Sequence, residues 1–373
     1  MNVVEVRTRT QERAFIDLPR RLYRRTPQWV PFLEVDYRAM LRRKHPYFHQ
    51  TEAEFLIIQH DGQTVARTMV AHNHRYNEQH KVNACSFYFT DFVDDENITR
   101  KLFTAAAEWA QARGSHVLVG PLLSGATFGG GVLVEGFEHQ AAMTMMPYNH
   151  AYYVKHYERF GFQKQFDLNS LGIDPKGFVM PERVERLAQR VRDRGRMKVL
   201  QFSTKRELRR VAGEVAALYN DTLGDHSENY PLTEAELNQL IKDLLLIADP
   251  ALEKVITSND EVVGFMLAFP DVSDALQRSG GRLTPPALVD LLRSKRRTRK
   301  LLLNGMGILE RYQRLGGNAL LYSELARTLA DPRYRFEDAE MVQINEQTDL
   351  MLSDMYRLGA KRRKLHRVFR APV

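Results

Sequence analysis

Two runs of mainly apolar residues on either side of a polar turn predict a β-hairpin at residues 55–71, and a similar pattern recurs late in the chain at residues 253–269. In the first segment, two strand-like runs flank the turn residues Asp61-Gly62. In the second segment, Asn259-Asp260 takes the place of that turn. Both segments therefore predict a pair of antiparallel strands joined by a tight turn.

The two hairpins belong to a longer repeat. Val65 corresponds to Val263, and Gly161 corresponds to Gly359, in both cases 198 residues apart. Unrelated patterns rarely agree on one offset, so we interpret the chain as a duplicated domain. A length of 373 residues suits two domains better than one core.

The remaining pattern mixes strands with helices and predicts an α/β chain. The helix expected at 233–247 begins with a capping box formed by Thr233 and Glu236. Further strands are predicted at 84–92 and 116–119, and further helices at 99–113 and 205–219. We predict three segments, namely a first domain at 1–174, a charged bridging helix at 175–196 and a second domain at 197–373.

Composition excludes several classes of protein. A chain with 43% hydrophobic and 27% charged residues is typical of soluble globular proteins. The single cysteine, Cys85, excludes an intramolecular disulfide and a cysteine-based zinc site. The N-terminus lacks the apolar segment of a secretory signal, and no apolar run is long enough to span a bilayer. We expect a cytoplasmic protein without a bound metal.

Positive charge is clustered along the chain, whose net charge is +8. Such clusters are compatible with a solvated surface. They also suit a polyanionic cofactor, an anionic membrane or RNA, because the positive electrostatic field of the clusters attracts each of these three ligands. No nucleic-acid-binding motif accompanies the charge, so nucleic acid is not expected as a partner. The main clusters are 20–25, 42–44, 295–300 and 361–364.

Residues 301–329 predict a strand, a glycine turn and a helix. The apolar run at 301–308 is followed by Gly316-Gly317 and then by helix-like apolar spacing. A glycine turn before a helix exposes the first backbone N–H groups of that helix at the positive end of its dipole. A phosphate group is the natural ligand of such a turn.

The spacing of Gln313, Gly316 and the following helix resembles the pyrophosphate loop of the GCN5-related N-acetyltransferase (GNAT) superfamily. Asn318 departs from that pattern, in which the last position is Gly or Ala. The resemblance implies acetyl-CoA or acyl-CoA as co-substrate. The residues that it assigns to the cofactor are Met306, Gly307, Ile308, Gln313, Arg314, Gly316, Gly317, Asn318 and Ala319.

The whole chain resembles the tandem-GNAT proteins of bacteria. The segments that carry this resemblance are Trp29-Val30-Pro31, residues 120–137, residues 270–276 and residues 358–361. This resemblance implies two GNAT-like domains, each a splayed mixed sheet flanked by helices. The first copy carries acidic residues at 93–97 instead of the phosphate loop, so we expect a degenerate copy that shapes the substrate site. The substrate-binding residues implied by the resemblance are Tyr148, Asn149, Tyr152 and Tyr153.

Acyl transfer to an amine needs a base and a proton donor for the leaving thiolate. Glu346 is the first candidate for the base, because it follows a predicted strand at the entrance of the last helix; Asp225 and His226 are the second choice. The superfamily often uses a tyrosine four residues before a glycine as the acid. Tyr157 has this spacing in the first copy, whereas the second copy has Tyr356 one position further on.

Three functions remain open from the sequence. The first is a CoA-dependent N-acyltransferase; bacterial ceramide synthases are similar to this arrangement, which implies a sphingoid amine as acceptor and a peripheral position at the inner membrane. In that case Met143, Met145 and Met146 would line a lipid channel. The second is an aminoacyl-tRNA-dependent peptidyltransferase of similar tandem fold. The third is a non-catalytic module that binds acyl-CoA or lipid.

Overall fold

The structure, a computed structural model, describes residues 1–123, 128–143, 145–223 and 229–373. These residues form thirteen strands and twelve α-helices. The elements of the first half are β1 (Asn2–Glu5), α1 (Arg9–Leu22), α2 (Glu34–Leu41), β2 (Thr51–His60), β3 (Gln63–Asn73), α3 (His74–His80), β4 (Ala84–Phe92), α4 (Glu96–Gln111), β5 (Val117–Gly120), β6 (Val132–Glu135), α5 (Tyr152–Phe160) and β7 (Gln163–Ile173).

The helix α6 (Glu182–Arg194) connects the halves. The elements of the second half are β8 (Lys198–Leu200), α7 (Lys205–Leu223), α8 (Glu234–Ile247), β9 (Lys254–Ser258), β10 (Glu261–Pro270), α9 (Ser273–Ser279), α10 (Pro285–Arg297), β11 (Lys300–Ile308), α11 (Gly317–Leu329), β12 (Asp338–Asn345), α12 (Asp349–Arg357) and β13 (Lys361–Pro372). No helix in the described part of the chain is long and apolar enough to cross a membrane.

The two predicted hairpins are confirmed as β2–β3 and β9–β10. Their turns share one geometry, because both central residues have positive φ: 48° and 75° at Asp61 and Gly62, and 48° and 64° at Asn259 and Asp260. This geometry matches the twist of the flanking strands, which explains why Gly, Asn and Asp occupy these positions. The capping box predicted at the start of α8 is also confirmed.

The connecting helix is shorter than the bridging helix predicted at 175–196. It begins only after Pro181. Pro175, Gly177 and Pro181 disfavour helix in the preceding segment, since proline lacks a backbone donor and restricts the residue before it. Residues 174–181 therefore form an irregular segment, which matters below because it covers part of the second half.

The two halves share one continuous sheet, because each contributes its last long strand to the other. The strand order is β1-β2-β3-β4-β5-β13-β7-β12-β11-β10-β9-β8, with β6 paired to β13. Thus β13 of the second half pairs with β5 of the first, and β7 of the first half pairs with β12 of the second. The two exchanged strands pair with each other at the centre. Neither half can therefore complete its sheet alone.

Each half contains a pair of parallel strands that begin together and then diverge. In the second half, β11 and β12 pair over Lys300–Leu303 and Asp338–Met341 and then separate. In the first half, β4 and β5 pair over Ala84–Ser86 and Val117–Val119 before they separate. The sheet thus has two openings, one in each half.

The first-half opening is filled by a buried polar network. The Arg67 guanidinium donates to Asp91 Oδ2 at 2.7 Å and to the Tyr37 hydroxyl at 2.7 Å. The other oxygen of Asp91 accepts hydrogen bonds from the hydroxyls of Tyr23 at 2.9 Å and Tyr153 at 3.2 Å. Only about 60 Å³ of space remains in this opening. These side chains occupy the place that a ligand would need.

We expect Asp91→Ala to lower the free energy of unfolding by about 3–5 kcal/mol, because it leaves the Arg67 charge buried without its partner. Asp221→Ala, at an exposed helical position, serves as the control and should change stability by less than about 0.5 kcal/mol. Urea unfolding followed by circular dichroism measures both. Equal midpoints for the two variants would contradict a structural role for the Arg67–Asp91 pair.

Candidate active site

Helix α11 begins without a side chain that caps its first amides. The N-cap residue Gly316 has φ of 90°, and no side chain accepts a hydrogen bond there. Arg314 also has a positive φ, of 61°. Gln313 Nε2 donates to the carbonyl of Ile308 at 3.1 Å and so holds the turn against the end of β11. The first-turn amides therefore offer a site for phosphate at the positive end of the helix dipole.

The corresponding helix of the first half, α4, is capped by its own chain. Asp95 Oδ1 accepts hydrogen bonds from the backbone amides of Asn97 at 2.8 Å and Ile98 at 3.2 Å. This carboxylate takes the position that a phosphate oxygen would occupy. The two halves thus present opposite electrostatic conditions at equivalent helix ends.

Strand β11 contains a bulge just before this turn. Leu303 and Met306 pair with β10, whereas the two residues between them, Asn304 and Gly305, oppose Leu267 alone. Gly305 has φ of 107°, which a residue with a side chain rarely adopts. Such a bulge turns backbone groups out of the ladder, where they can bind a ligand oxygen.

A cavity of about 220 Å³, which we call the central cavity, lies at the second-half opening. Its walls come from β11, β12, α7, α8 and the start of α12, together with segments of the first half. The central cavity is lined by Leu122, Leu123, Phe128, Gly129, Gly130, Met145, Leu168, Tyr219, Asn229, Leu240, Leu244, Met266, Leu267, Leu303, Asn304, Gly305, Met306, Met341, Val342, Gln343, Ile344, Asn345, Thr348 and Met351.

Gln343 fixes the contact between the first half and this cavity. Its side-chain oxygen accepts a hydrogen bond from the Gly130 amide at 2.8 Å, and its Nε2 donates to the Gly130 carbonyl at 2.7 Å. Gln343 has φ of 50° and lies at the register shift between Met341 and Ile344, where β12 pairs with β7. The first half thus closes one wall of the second-half opening. The contact is made by Gly130, which belongs to the segment 120–137 on which the resemblance partly rests.

The lining of the central cavity is mainly apolar. Five of its residues are methionines, whose flexible thioether side chains adapt to ligands of varied shape. Of the three methionines expected in a lipid channel, Met145 lines the cavity, whereas Met143 and Met146 are buried in the adjoining core. The methionines that line the cavity are Met145, Met266, Met306, Met341 and Met351.

The polar groups of the cavity are uncharged. Among the lining residues that the structure describes, none is Asp, Glu, His, Lys or Arg. The sequence analysis considered ionisable groups and did not assign the uncharged polar residues to the site. Only Asn304 could have been found, because it lies beside the bulge glycine Gly305. The polar lining residues are Tyr219, Asn229, Asn304, Gln343, Asn345 and Thr348.

Glu346, the first candidate for the base, lies beside the cavity but does not line it. Its carboxylate accepts hydrogen bonds from Lys164 Nζ at 2.7 Å and from the Asp167 amide at 3.1 Å. Both partners belong to the exchanged strand β7. The structure therefore gives Glu346 contacts that hold β7 to β12. The second candidates, Asp225 and His226, lie outside the described residues.

The structure separates the two tyrosines proposed as the acid. Tyr157 is fully buried in the first half, stacked on Phe87 and Phe369, and burial raises the pKa of its hydroxyl well above the ordinary value. Tyr356 is 49% exposed on α12, where the buried neighbour Met355 faces the core. Neither tyrosine is among the residues that line the central cavity.

The four residues assigned to substrate binding lie around the filled first-half opening. Tyr148 donates to the Phe137 carbonyl at 3.0 Å, and Tyr152 donates to the Phe92 carbonyl at 2.6 Å. The structure does not bring this group to the central cavity. The other two members, Asn149 and Tyr153, hydrogen-bond to the backbone of Leu133 and to Asp91 respectively.

The predicted cofactor residues, in contrast, are contiguous. Met306 lines the cavity, Gly307 packs against α7, and Ile308 contacts the start of α11 at Gly317. Asn318 Nδ2 donates to Asp354 at 3.2 Å, which ties α11 to α12. Ala319 is buried behind this first turn, and Gln313 and Arg314 form the exposed side of the loop. A ligand that reached from the turn at Gly316 to the bulge would run along this set. Among the described residues, no group of His, Cys, Asp or Glu side chains is arranged to hold a metal.

Comparison with known proteins identifies two curated relatives of the chain. Protein YghO of Escherichia coli is 23% identical over 367 residues, which cover 97% of this chain and 93% of that protein. A protein named bacterial ceramide synthase, from Caulobacter vibrioides, is 28% identical over 295 residues, which cover 78% of this chain and 76% of that protein. No family model matches the chain.

Among solved structures, a tandem GNAT protein from the clavulanic acid biosynthesis pathway has a similar fold, with a TM-score of 0.57 and 12% sequence identity. The match covers 100% of this chain and 98% of that structure. At this identity the likeness concerns the fold alone. The chain has the tandem GNAT fold that the resemblance implied.

Proposed function

We propose that the protein is an N-acyltransferase that moves an acyl group from an acyl-CoA thioester to a primary amine. The observation that carries this proposal is the combination, in the second half, of an uncapped helix at Gly316, a bulge at Gly305 and a cavity that the bulge residues line. The first half, by contrast, caps its helix with Asp95 and fills its opening. The relatives named above favour the same class of reaction.

In the proposed reaction the pyrophosphate of CoA binds the first amides of α11, and the thioester lies at the bulge of β11. The amine, whose pKa as a free alkyl ammonium is about 10, loses one proton and attacks the thioester carbonyl. Backbone amides at the bulge stabilise the oxyanion. A C–N bond forms, the C–S bond breaks, the nitrogen releases its second proton, and the thiolate takes up a proton to leave as CoA.

We expect Asn318→Asp to weaken CoA binding at least tenfold, or about 1.4 kcal/mol, because it places a carboxylate among the amides that bind the pyrophosphate. A negative charge is favourable at a helix N-terminus, but the variant also loses the hydrogen bond from Asn318 Nδ2 to Asp354, so we expect a folded helix and a lower unfolding temperature. Isothermal titration with CoA measures the affinity, and thermal unfolding monitors the fold. The matched control is Asp95→Asn at the corresponding end of α4, which should leave CoA affinity unchanged. Equal affinity of Asn318→Asp and wild type would remove α11 from the proposed site.

The proton on the amine needs an acceptor, and the described lining of the cavity contains no carboxylate or imidazole. Residues 224–228 connect α7 to Asn229, which lines the cavity. We therefore propose that Asp225 and His226 supply the base, directly or through water. Glu346 then has a structural role, through its contacts with Lys164 and Asp167.

We expect Glu346→Gln to keep most of the turnover and to lose less than about 1 kcal/mol of stability, as is usual for a partly exposed ion pair. The double variant Asp225→Asn/His226→Gln should lower kcat/KM about a hundredfold or more while CoA still binds. Steady-state kinetics across a pH series compares the two. A hundredfold loss in Glu346→Gln without any loss of stability would restore Glu346 as the base.

The apolar, methionine-lined cavity favours an amphipathic acceptor over a small polar metabolite. We propose a long-chain amine of the sphingoid type, in agreement with the name of the Caulobacter relative. Such a substrate resides in membranes, which the enzyme must then approach.

Helix α10 supplies a surface suited to that approach. Leu288, Val289 and Leu292 are 42%, 46% and 50% exposed and lie on one face of the helix. Arg293 and Arg296 are exposed on the adjoining part of that face. Exposed apolar side chains beside arginines are typical of helices that lie in the headgroup region of anionic bilayers. We propose that α10 holds the protein peripherally on such a membrane.

We expect the wild-type protein to co-sediment with vesicles that contain phosphatidylglycerol. High salt should release part of it, because salt screens the attraction between the arginines and the anionic headgroups. Leu288→Gln/Leu292→Gln should lower this binding at least fivefold. The control Leu350→Gln changes a leucine that is 71% exposed on another helix and should bind like wild type. Equal sedimentation of all three proteins would exclude α10 as the contact.

A further inference from the structure

A second apolar cavity, of about 260 Å³, lies on the α11 side of the second-half sheet. We call it the lateral cavity. The sheet residues on this side, such as Leu301 and Ala339, pack with α11, whereas their neighbours Leu302 and Val342 pack with α7 and α8. The lateral cavity is lined by Leu171, Ile173, Pro175, Phe178, Met180, Leu301, Leu303, Tyr322, Leu325, Ala326, Leu329, Ala330, Ala339, Met341, Met355, Leu358 and Ala360.

The lateral cavity is elongated and almost free of polar groups. Its α11 wall extends from Tyr322 to Ala330, about 12 Å at the rise of an α-helix. Tyr322 is its one polar lining residue among those described. The irregular segment 174–181 covers it with Pro175, Phe178 and Met180, and an ion pair from Lys176 to Glu337 anchors that cover. An apolar chain is the ligand that such a space suits.

The lateral cavity and the central cavity lie next to each other where β11 and β12 part. Leu303 and Met341 are the last paired residues of the two strands, and both line both cavities. The Tyr322 hydroxyl of the lateral cavity also lies 3.8 Å from the Met351 sulfur of the central cavity. The bulge residue Asn304 directly follows this junction. A chain attached to a thioester at the bulge would thus have an apolar route under α11.

We propose that the lateral cavity holds the hydrocarbon tail of the acyl donor, so that the donor is a long-chain acyl thioester. This inference rests on the proposed acyl transfer and adds the chain length and location of the donor. The tail passes from the bulge around the end of the Leu303–Met341 pair, where β11 and β12 part, and lies along α11 as far as Ala330. The central cavity, with its wall from the first half, then remains for the acceptor. Each apolar tail has its own cavity.

Equilibrium binding of CoA, acetyl-CoA, octanoyl-CoA and palmitoyl-CoA, measured by titration without amine, tests the inference. Wild-type affinity should rise with tail length, by about fourfold for each methylene that becomes buried. Ala326→Phe fills the lateral cavity and should weaken palmitoyl-CoA binding at least tenfold, while CoA and acetyl-CoA bind as before. Leu329→Ala enlarges the cavity and should instead preserve or increase the preference for the longest donor.

The control is Ala107→Phe, the same substitution on α4 of the first half, which should leave all four affinities unchanged. The inference is overturned if Ala326→Phe leaves palmitoyl-CoA affinity unchanged, or if it weakens acetyl-CoA equally. A wild-type protein that binds CoA without any gain from the tail also overturns it and leaves the proposed acyl transfer standing. A protein that binds none of the four ligands overturns both.

Discussion

The exchange of the last strands is the constraint on which the rest of the structure depends. Because β13 completes the first half and β7 completes the second, the two halves have a fixed relative position. That position brings Gly130 of the first half to Gln343 of the second, where two hydrogen bonds close one wall of the central cavity. A single GNAT unit would leave this wall open to solvent. The duplication therefore encloses the central cavity of the second half.

The two halves share an architecture and differ in the side chains at two equivalent places. Both retain a pair of parallel strands that separate beside a helix N-terminus. In the first half, Asp95 satisfies that helix end and the Arg67–Asp91 pair fills the opening. In the second half, β11 bulges at Gly305 and no side chain caps the helix end at Gly316. The two halves thus differ in electrostatics and packing at these two places, and not in topology.

Local signals in the sequence predicted the hairpins, the capping box at Thr233 and the turn before α11, because each depends on residues close together in the chain. The repeat at 198 residues further predicted the duplicated fold. The strand exchange could not be predicted, since pairing between distant strands has no local signature. For the same reason the positions of Tyr157, in a core, and of Glu346, in an ion pair with β7, were not evident from spacing alone. The uncharged lining of the cavity carries no motif.

Hydrogen exchange of the whole protein, with and without saturating CoA, tests the central claim that the second half alone binds the donor. The account predicts slower exchange at the amides of residues 314–319 and in the bulge of β11, because a bound pyrophosphate and pantetheine protect them. Exchange at residues 95–98, where Asp95 already occupies the helix end, should not change. Protection at 95–98, or none at 314–319 despite bound CoA, would contradict the account.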